Sequence, residues 1–210
     1  MKVFVVGEAT NYANFLENAS LVNKIEDADV VLFTGGEDVD PSLYGCKKDQ
    51  HTCSNLDRDL KEKEIFEQVD SKKQICLGIC RGSQFLAVMN GGILVQHCFN
   101  HAIGYTHGIT NGDSLYQITS THHQMQYPYI LDKSDYDVLF TSDLVRSNQY
   151  IGDKINPEII IVKGEPEIVL YHKQNLPKCL AVQGHPEMIP DSPVAKMISN
   201  LVKSLIDENK

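Results

Sequence analysis

The segment "QICLGICRGSQFLAVMNGG", residues 74–92, contains the clearest structural signal in the chain. A short apolar run that starts at Ile75 meets Cys80, and a helical pattern of apolar residues follows at once. Residues 78–82, "GICRG", fit the glycine-x-nucleophile-x-glycine elbow, in which small flanking residues permit a tight turn between a strand and a helix. The segment therefore predicts a strand, a sharp turn and a helix, with the cysteine at the turn.

A cysteine at such a turn is activated by its surroundings. The following helix directs its free N–H groups and the positive end of its dipole at the thiol, which favours the reactive thiolate. Cysteine more often serves as a small buried apolar residue, and we expect that role for Cys76 and Cys179, which lie inside apolar runs. The glycines around Cys80 favour a nucleophile there instead.

Strand and helix patterns alternate along most of the chain. Apolar or β-branched runs predict strands at 3–6, 29–33, 75–78, 92–95, 116–120, 158–162, 167–171 and 179–183. Apolar spacing predicts helices at 57–70 and 83–89, and a last helix with Ser192 as N-cap and Pro193 in its first turn. This order predicts an α/β fold with a mainly parallel central sheet flanked by helices. We expect some antiparallel pairing within 130–180, where strands outnumber helices.

Length and composition limit the possible functions. With 210 residues, 42% of them apolar and 22% charged, the chain suits one globular domain over residues 1–210. The net charge of -9 argues against a nucleic-acid or membrane-surface partner and favours a small molecule or another protein as the partner. No apolar run approaches the ~20 residues of a membrane span, and the N-terminus lacks a signal-peptide pattern. We therefore expect a cytoplasmic protein with reduced thiols.

A histidine and a carboxylate suited to assist Cys80 occur near the C-terminus. The sequence "CLAVQGHPEMIP", residues 179–190, places His185 just past an apolar run and Glu187 two residues later. A carboxylate in that position can hydrogen-bond the imidazole, fix its tautomer and stabilise the imidazolium. Because a cysteine nucleophile needs a base and the base needs an orienting group, these three residues are the predicted catalytic set.

Five motifs together resemble a known superfamily. "GICRGSQ" (78–84) and "QGHPE" (183–187) resemble motifs of the class I glutamine amidotransferases, which have a flavodoxin-like α/β sheet and a Cys-His-Glu triad. "VVLFTGGEDVDPSLYG" (30–45), "DRDLKEKEIF" (57–66) and "TSTHHQ" (119–124) resemble the gamma-glutamyl hydrolase branch more closely. That branch comprises the peptidase C26-like proteins, including gamma-glutamyl-gamma-aminobutyrate hydrolase.

The resemblance, which covers residues 29 to 190, implies a role for each matched residue. Cys80 would attack the γ-carbonyl of a glutamyl amide to form a thioester, His185 would act as general base and acid, and Glu187 would orient it. The implied oxyanion hole consists of the backbone N–H groups of Gly36 and Arg81. The implied substrate-binding residues are Gly35, Gln84, His122 and Gln124.

Two segments depart from the family pattern. Residues 7–29, between the first strand and the "TGG" motif, are fewer than relatives use there, so we expect a trimmed sheet element at that edge. Residues 125–175 match no family pattern, and relatives differ there according to substrate.

The resemblance leaves several functions open. The first is a cysteine-dependent hydrolase that cleaves a γ-glutamyl amide into glutamate and an amine. The alternative is a glutaminase subunit that takes glutamine and delivers ammonia to a separate synthetase. A binding module without activity is a third class, against which the complete triad argues. A DJ-1-like or protease-like relative with the same elbow predicts a different base and would leave "HPE" unexplained.

Soft ligands also occur outside these motifs. They are Cys46, His51, Cys53, His97, Cys98 and His101. Their spacings match no known zinc motif. We therefore expect scattered histidines and thiols there, with neither a metal site nor a cofactor.

Overall fold

The computed structural model describes residues 1–7 and 10–209 as an α/β fold. The strands are β1 Lys2–Val6, β2 Ser20–Leu21, β3 Val30–Phe33, β4 Ile75–Ile79, β5 Ile93–Val95, β6 His97–Cys98, β7 Ala102–Thr110, β8 Leu115–Thr121, β9 Met125–Tyr127, β10 Tyr136–Ser142, β11 Tyr150–Ile151, β12 Pro166–Tyr171 and β13 Cys179–Val182. The helices are α1 Leu56–Phe66, α2 Arg81–Met89, α3 Pro157–Lys163 and α4 Pro193–Glu208. Within the described ranges, no helix has both the length and the apolar character that a bilayer crossing requires.

The largest sheet has nine strands in the order β2-β1-β3-β4-β13-β12-β10-β7-β8. The five strands from β2 to β13 are parallel to their neighbours, and the pairs beyond β13 are antiparallel. Numbered along the chain, the parallel strands follow the order 2-1-3-4-5 of flavodoxin-like sheets. The expected parallel sheet thus occupies the half with the cysteine turn, and the expected antiparallel pairing involves β10 and β12.

Helices cover the two faces of this sheet through separate apolar layers. On one face Phe85 of α2 packs with Phe33 of β3 and with Cys76. On the other, α4 buries Val202 against the sheet. Fully burying such a side chain contributes about 1.5–3 kcal/mol. Cys76 and Cys179 are fully buried, so the apolar role predicted for both is confirmed.

The predicted strand at 158–162 is wrong, because these residues lie in helix α3. Asn156 accepts a hydrogen bond from the Glu158 N–H at 3.0 Å, and Pro157 occupies the first helical position. This cap and the fixed proline φ start a helix, and they override the strand preference of consecutive β-branched residues.

Two other elements refine the sequence prediction. Helix α1 ends at Phe66 rather than at residue 70, and the chain then turns so that Val69 joins the same apolar layer. The sheet edge beside β1 is reduced, as the short segment 7–29 predicts. Strand β2 has two residues there, and short 3-10 turns occupy Thr10–Ala13 and Ile25–Asp27.

Candidate active site

Three predicted motifs meet at the carboxyl edge of the parallel strands. Strand β4 lies between β3 and β13 and is parallel to both, so the residues that follow the three strands share one edge. Cys80 follows β4, the "TGG" motif at 34–36 follows β3, and His185 lies three residues beyond β13. The Cys80 N–H donates to the Val182 carbonyl at 2.8 Å, which fixes the cysteine turn against the end of β13.

The turn at Cys80 has the geometry of a nucleophile elbow. Cys80 has φ 53° and ψ -111°, a region that non-glycine residues rarely adopt, and helix α2 begins at the next residue. A methyl group at Gly78 would lie 2.5 Å from the Gly82 carbonyl oxygen, so strand and helix approach too closely for a side chain. The Ser83 hydroxyl donates to the Cys80 carbonyl at 2.6 Å and supports the first turn of α2.

His185 and Glu187 are paired beside this turn. His185 Nδ1 lies 2.6 Å from Glu187 Oε1. The His185 N–H donates to Thr119 Oγ1 at 2.6 Å, which fixes the backbone that carries the imidazole. His185 is 7% exposed and Glu187 5%, whereas Cys80 is partly exposed. A buried carboxylate thus orients the imidazole while the thiol stays open to a ligand.

The pKa of His185 is raised to about 10. Burial lowers this pKa, but hydrogen bonding and negative charge from Cys80 and Glu187 outweigh burial. The imidazole is therefore protonated at neutral pH, the state in which it forms an ion pair with a thiolate and can protonate a leaving amine.

Replacing Glu187 with glutamine is expected to lower the pKa of His185 by about 1 unit or more, because an anionic acceptor is lost. NMR titration of the imidazole Cε1–H should give a midpoint near 10 for the wild type. The pKa of His185 is higher in the folded protein than in the unfolded chain, so its protonation stabilises the fold. This contribution to the free energy of unfolding is complete below about pH 6.5 and is lost as the pH rises through 10. Asp137→Asn is the matched control. Asp137 pairs with the partly exposed His172, so its replacement should leave the pKa of His185 unchanged. A wild-type midpoint near 6.5 would contradict the ion pair.

Two glycines bring the loop after β3 close to the histidine. A methyl group at Gly35 would lie 2.7 Å from Tyr12 Oη and 3.1 Å from His185 Cε1. Gly36 has φ 138°, which disfavours other residues, and a methyl group there would collide with the Arg58 guanidinium. The backbone of this loop can therefore approach a bound substrate without an intervening side chain.

A buried charged network holds the turn and the loop in place. The fully buried Arg81 guanidinium forms ion pairs with Asp59 and Glu62 of α1. Arg58 donates through Nε to Glu62 Oε1 at 2.8 Å and through Nη2 to the Gly35 carbonyl at 3.0 Å. Sequence reasoning missed this network, because its members come from separate elements; the charged motif at the start of α1 is the signal that points to it.

A comparison of the chain with models of known protein families shows its family. The family model for peptidase C26 matches residues 13–134, which is more than half of the chain. The chain belongs to the peptidase C26 family. It is accordingly a member of the class I glutamine amidotransferase-like superfamily, as the five motifs predict.

Individual relatives of this C26 chain agree with that assignment. A Schizosaccharomyces pombe protein described as a glutamine amidotransferase is 39% identical over 71 residues, which is 33% of this chain and 28% of the relative. The chain thus spans only 25% to 30% of the curated relatives that it matches.

Two solved structures share the fold. A Thermoplasma acidophilum protein described as a GMP synthase subunit has a TM-score of 0.60 at 16% identity, with 99% of this chain and 94% of that chain covered. A glutamine amidotransferase from Thermotoga maritima has a TM-score of 0.56 at 14% identity, with 100% and 90% covered. At these identities the likeness concerns the fold alone.

Three residues predicted to bind substrate in this C26 protein are buried. Gln84 Nε2 donates to the Gln124 carbonyl, and Gln124 Nε2 donates to Thr52 Oγ1, both at 3.1 Å. The ring of His122 faces Glu167 in the interior. Of the predicted substrate residues, the structure brings Gly35 next to His185, joins the two glutamines in one network and places His122 in a buried cluster. Substrate contact by the glutamines stays a prediction.

A pocket of about 720 Å³ lies beside His185 of this C26 protein, although its lining includes none of Cys80, His185 and Glu187. Tyr12 and Gly35 line it, and the ring centroid of Tyr12 lies 6.1 Å from that of His185. Side chains of both charge signs line its α1 wall, namely Asp57, Arg58, Lys61 and Glu62. Sequence reasoning missed Tyr12, because residues 7–29 match no family motif.

Proposed function

We propose that the protein is a cysteine-dependent hydrolase that cleaves a γ-glutamyl amide bond through a glutamyl thioester and releases glutamate and an amine. The observation that carries the proposal is the elbow cysteine at the same sheet edge as the 2.6 Å His185–Glu187 pair. Membership of the peptidase C26 family supports this reaction class.

In the first half-reaction, the Cys80 thiolate attacks the γ-carbonyl carbon of the substrate and forms a carbon–sulfur bond. The imidazolium of His185 donates its proton to the amine nitrogen as the carbon–nitrogen bond breaks, which leaves a glutamyl thioester. The backbone N–H groups of Gly36 and Arg81 are the proposed donors to the intermediate oxyanion. Each such donor is typically worth ~3 kcal/mol at the transition state.

In the second half-reaction, water replaces the amine. The neutral imidazole of His185 takes a proton from water as the oxygen attacks the thioester carbon, and collapse of the intermediate expels the Cys80 thiolate. Glutamate leaves and the ion pair is restored. Glu187 holds the ring orientation through both halves, because its hydrogen bond to Nδ1 leaves Nε2 to move the proton.

The second candidate is a glutaminase subunit that delivers ammonia to a separate synthetase. One observation favours it, namely the fold shared with a protein described as a GMP synthase subunit. The thioester chemistry would be the same, with glutamine as substrate and ammonia as leaving group. The two candidates therefore differ in substrate and partner rather than in the catalytic residues.

An assay of glutamate release separates the candidates. The purified protein is given glutamine and, separately, γ-glutamyl amines whose amine halves are neutral, cationic or anionic, because the adjoining pocket has both charge signs. We expect at least one γ-glutamyl amine to exceed glutamine in kcat/KM by about tenfold or more without any partner. Turnover of glutamine alone, and only after a synthetase is added, would overturn the stand-alone hydrolase and favour the second candidate.

A further inference from the structure

A second cluster of functional side chains lies outside the proposed catalytic set. The side chains of His101, His122 and Glu167 converge. Each has one atom that could bind a metal ion, and these three atoms all lie within 4.8 Å of one another. The three residues are at most 3% exposed. The thioester chemistry uses none of them, so their convergence needs another explanation.

The distances within this cluster suit a shared ion. His101 Nδ1 lies 3.6 Å and His122 Nε2 lies 3.8 Å from Glu167 Oε1. Both distances exceed the length of an N–H···O hydrogen bond. Ligand atoms bonded at ~2.1 Å to a tetrahedral zinc ion stand ~3.4 Å apart, so an inward shift of the three atoms, which lie within 4.8 Å of one another, would bring them to ligand distance from one ion.

Several polar atoms of the cluster are unpaired. Among the described residues, both ring nitrogens of His101, the Nε2 atom of His122 and the Oε2 atom of Glu167 have no hydrogen-bond partner, whereas Glu167 Oε1 accepts from His107. Buried polar atoms are normally paired, and an unpaired one costs about 1–3 kcal/mol. One bound cation would satisfy all three side chains.

The outer nitrogen of each histidine lies close to an oxygen atom, as in known metal centres. His122 Nδ1 lies 3.0 Å from the Gln124 carbonyl, so it carries the proton and leaves the Nε2 lone pair free. His101 Nε2 lies 3.2 Å from Glu165 Oε2, a close approach without hydrogen-bond geometry, and Nδ1 lies on the side of Glu167. Such outer contacts fix the tautomer and orientation of metal-binding histidines.

The charge of the cluster also calls for a cation. Glu165 and Glu167 are fully buried, and Glu167 Oε1 accepts a hydrogen bond from His107 Nε2 at 2.8 Å. Buried carboxylates need a counter-charge. A proton on His101 is the competing source, because the two carboxylates raise its pKa although burial opposes them.

We propose that His101, His122 and Glu167 form a buried zinc site. Two imidazoles and a carboxylate are a donor set that Zn²⁺ accepts, with a fourth position for water. The ligands come from the residue before β7, the residue after β8 and strand β12. The ion would therefore tie the β7–β8 hairpin to the interior of the antiparallel half.

Zinc retention tests the site directly. Protein stripped with a chelator is reconstituted with one equivalent of zinc, desalted, and analysed for metal by mass spectrometry and for its thermal midpoint. We expect about one zinc per chain and a higher midpoint in the wild type, and less than about a tenth of that zinc in Glu167→Gln. Glutamine keeps the shape and an oxygen acceptor for His107, and circular dichroism checks the fold of the variant.

The matched control is His97→Gln, because His97 and His51 stack with ring centroids 4.3 Å apart and form a separate outer pair. This variant should retain zinc like the wild type. Failure of the wild type to retain zinc, or equal retention by Glu167→Gln, would overturn the site and assign the counter-charge to a proton. If Glu167→Gln does not fold, the absorption spectrum of the wild-type protein loaded with Co²⁺ provides the test. A spectrum with d–d bands alone supports nitrogen and oxygen ligands, and a thiolate-to-cobalt charge-transfer band contradicts the proposed ligands.

Discussion

Replacing Cys80 with alanine is expected to lower kcat/KM for glutamate release by at least ~10⁴-fold. The substitution removes the proposed nucleophile, while the proposed oxyanion donors and the pocket beside His185 remain. The alanine occupies the same backbone position in the elbow, so the fold should persist. Initial rates of glutamate release, with circular dichroism and thermal unfolding of each variant, provide the measurement.

The control for this variant is Cys53→Ser, because Cys53 is a free thiol and is exposed at the surface, whereas Cys80 is only partly exposed. Its activity should stay within about twofold of the wild type, as surface substitutions usually have small effects. Cys80→Ala protein that keeps more than about a tenth of the wild-type activity would show that another group is the nucleophile.

Replacing Arg81 with alanine is expected to lower the free energy of unfolding by about 3–5 kcal/mol. The guanidinium is buried between Asp59 and Glu62, and alanine would leave both carboxylates without their counter-charge in the interior. Urea denaturation of wild type and variant measures the change. Activity should fall as well, because Arg81 is the first residue of α2 after the elbow.

Lys73→Ala is the control for the loss of a positive charge at the surface. Lys73 pairs with Asp70 at 3.2 Å, but its side chain is 80% exposed, so we expect no measurable change in the free energy of unfolding. A loss of less than about 1 kcal/mol in Arg81→Ala would show that the buried network does not hold α1 against the elbow.

That Cys80, His185 and Glu187 lie together could be predicted from the sequence, because the signals for them are local. The glycines around Cys80 encode the turn, and the residues after "CLAVQ" place His185 two positions before Glu187. Parallel strand pairing then brings the ends of β4 and β13 to one edge without further information. The family motifs name the same residues.

The rest depends on contacts between distant segments. The sequence places His101 near His97, yet the two side chains have different surroundings in the fold: His97 stacks with His51, while His101 lies against Glu165 in the interior. The expectation of no metal site rested on spacing along the chain, and spacing does not register that His101, His122 and Glu167 converge through β7, β8 and β12. The partners of Arg81 were missed for the same reason.

Labelling by a glutamine analogue with a diazoketone in place of the γ-amide tests the central claim most directly, because the reagent requires both γ-glutamyl recognition and a nucleophile. Peptide mass spectrometry can distinguish Cys80 from the other cysteines. We predict one label per chain on Cys80, slowed by a saturating γ-glutamyl amine and absent from Cys80→Ala. A label on another cysteine, or labelling of Cys80 that the substrate does not slow, would contradict the thioester mechanism.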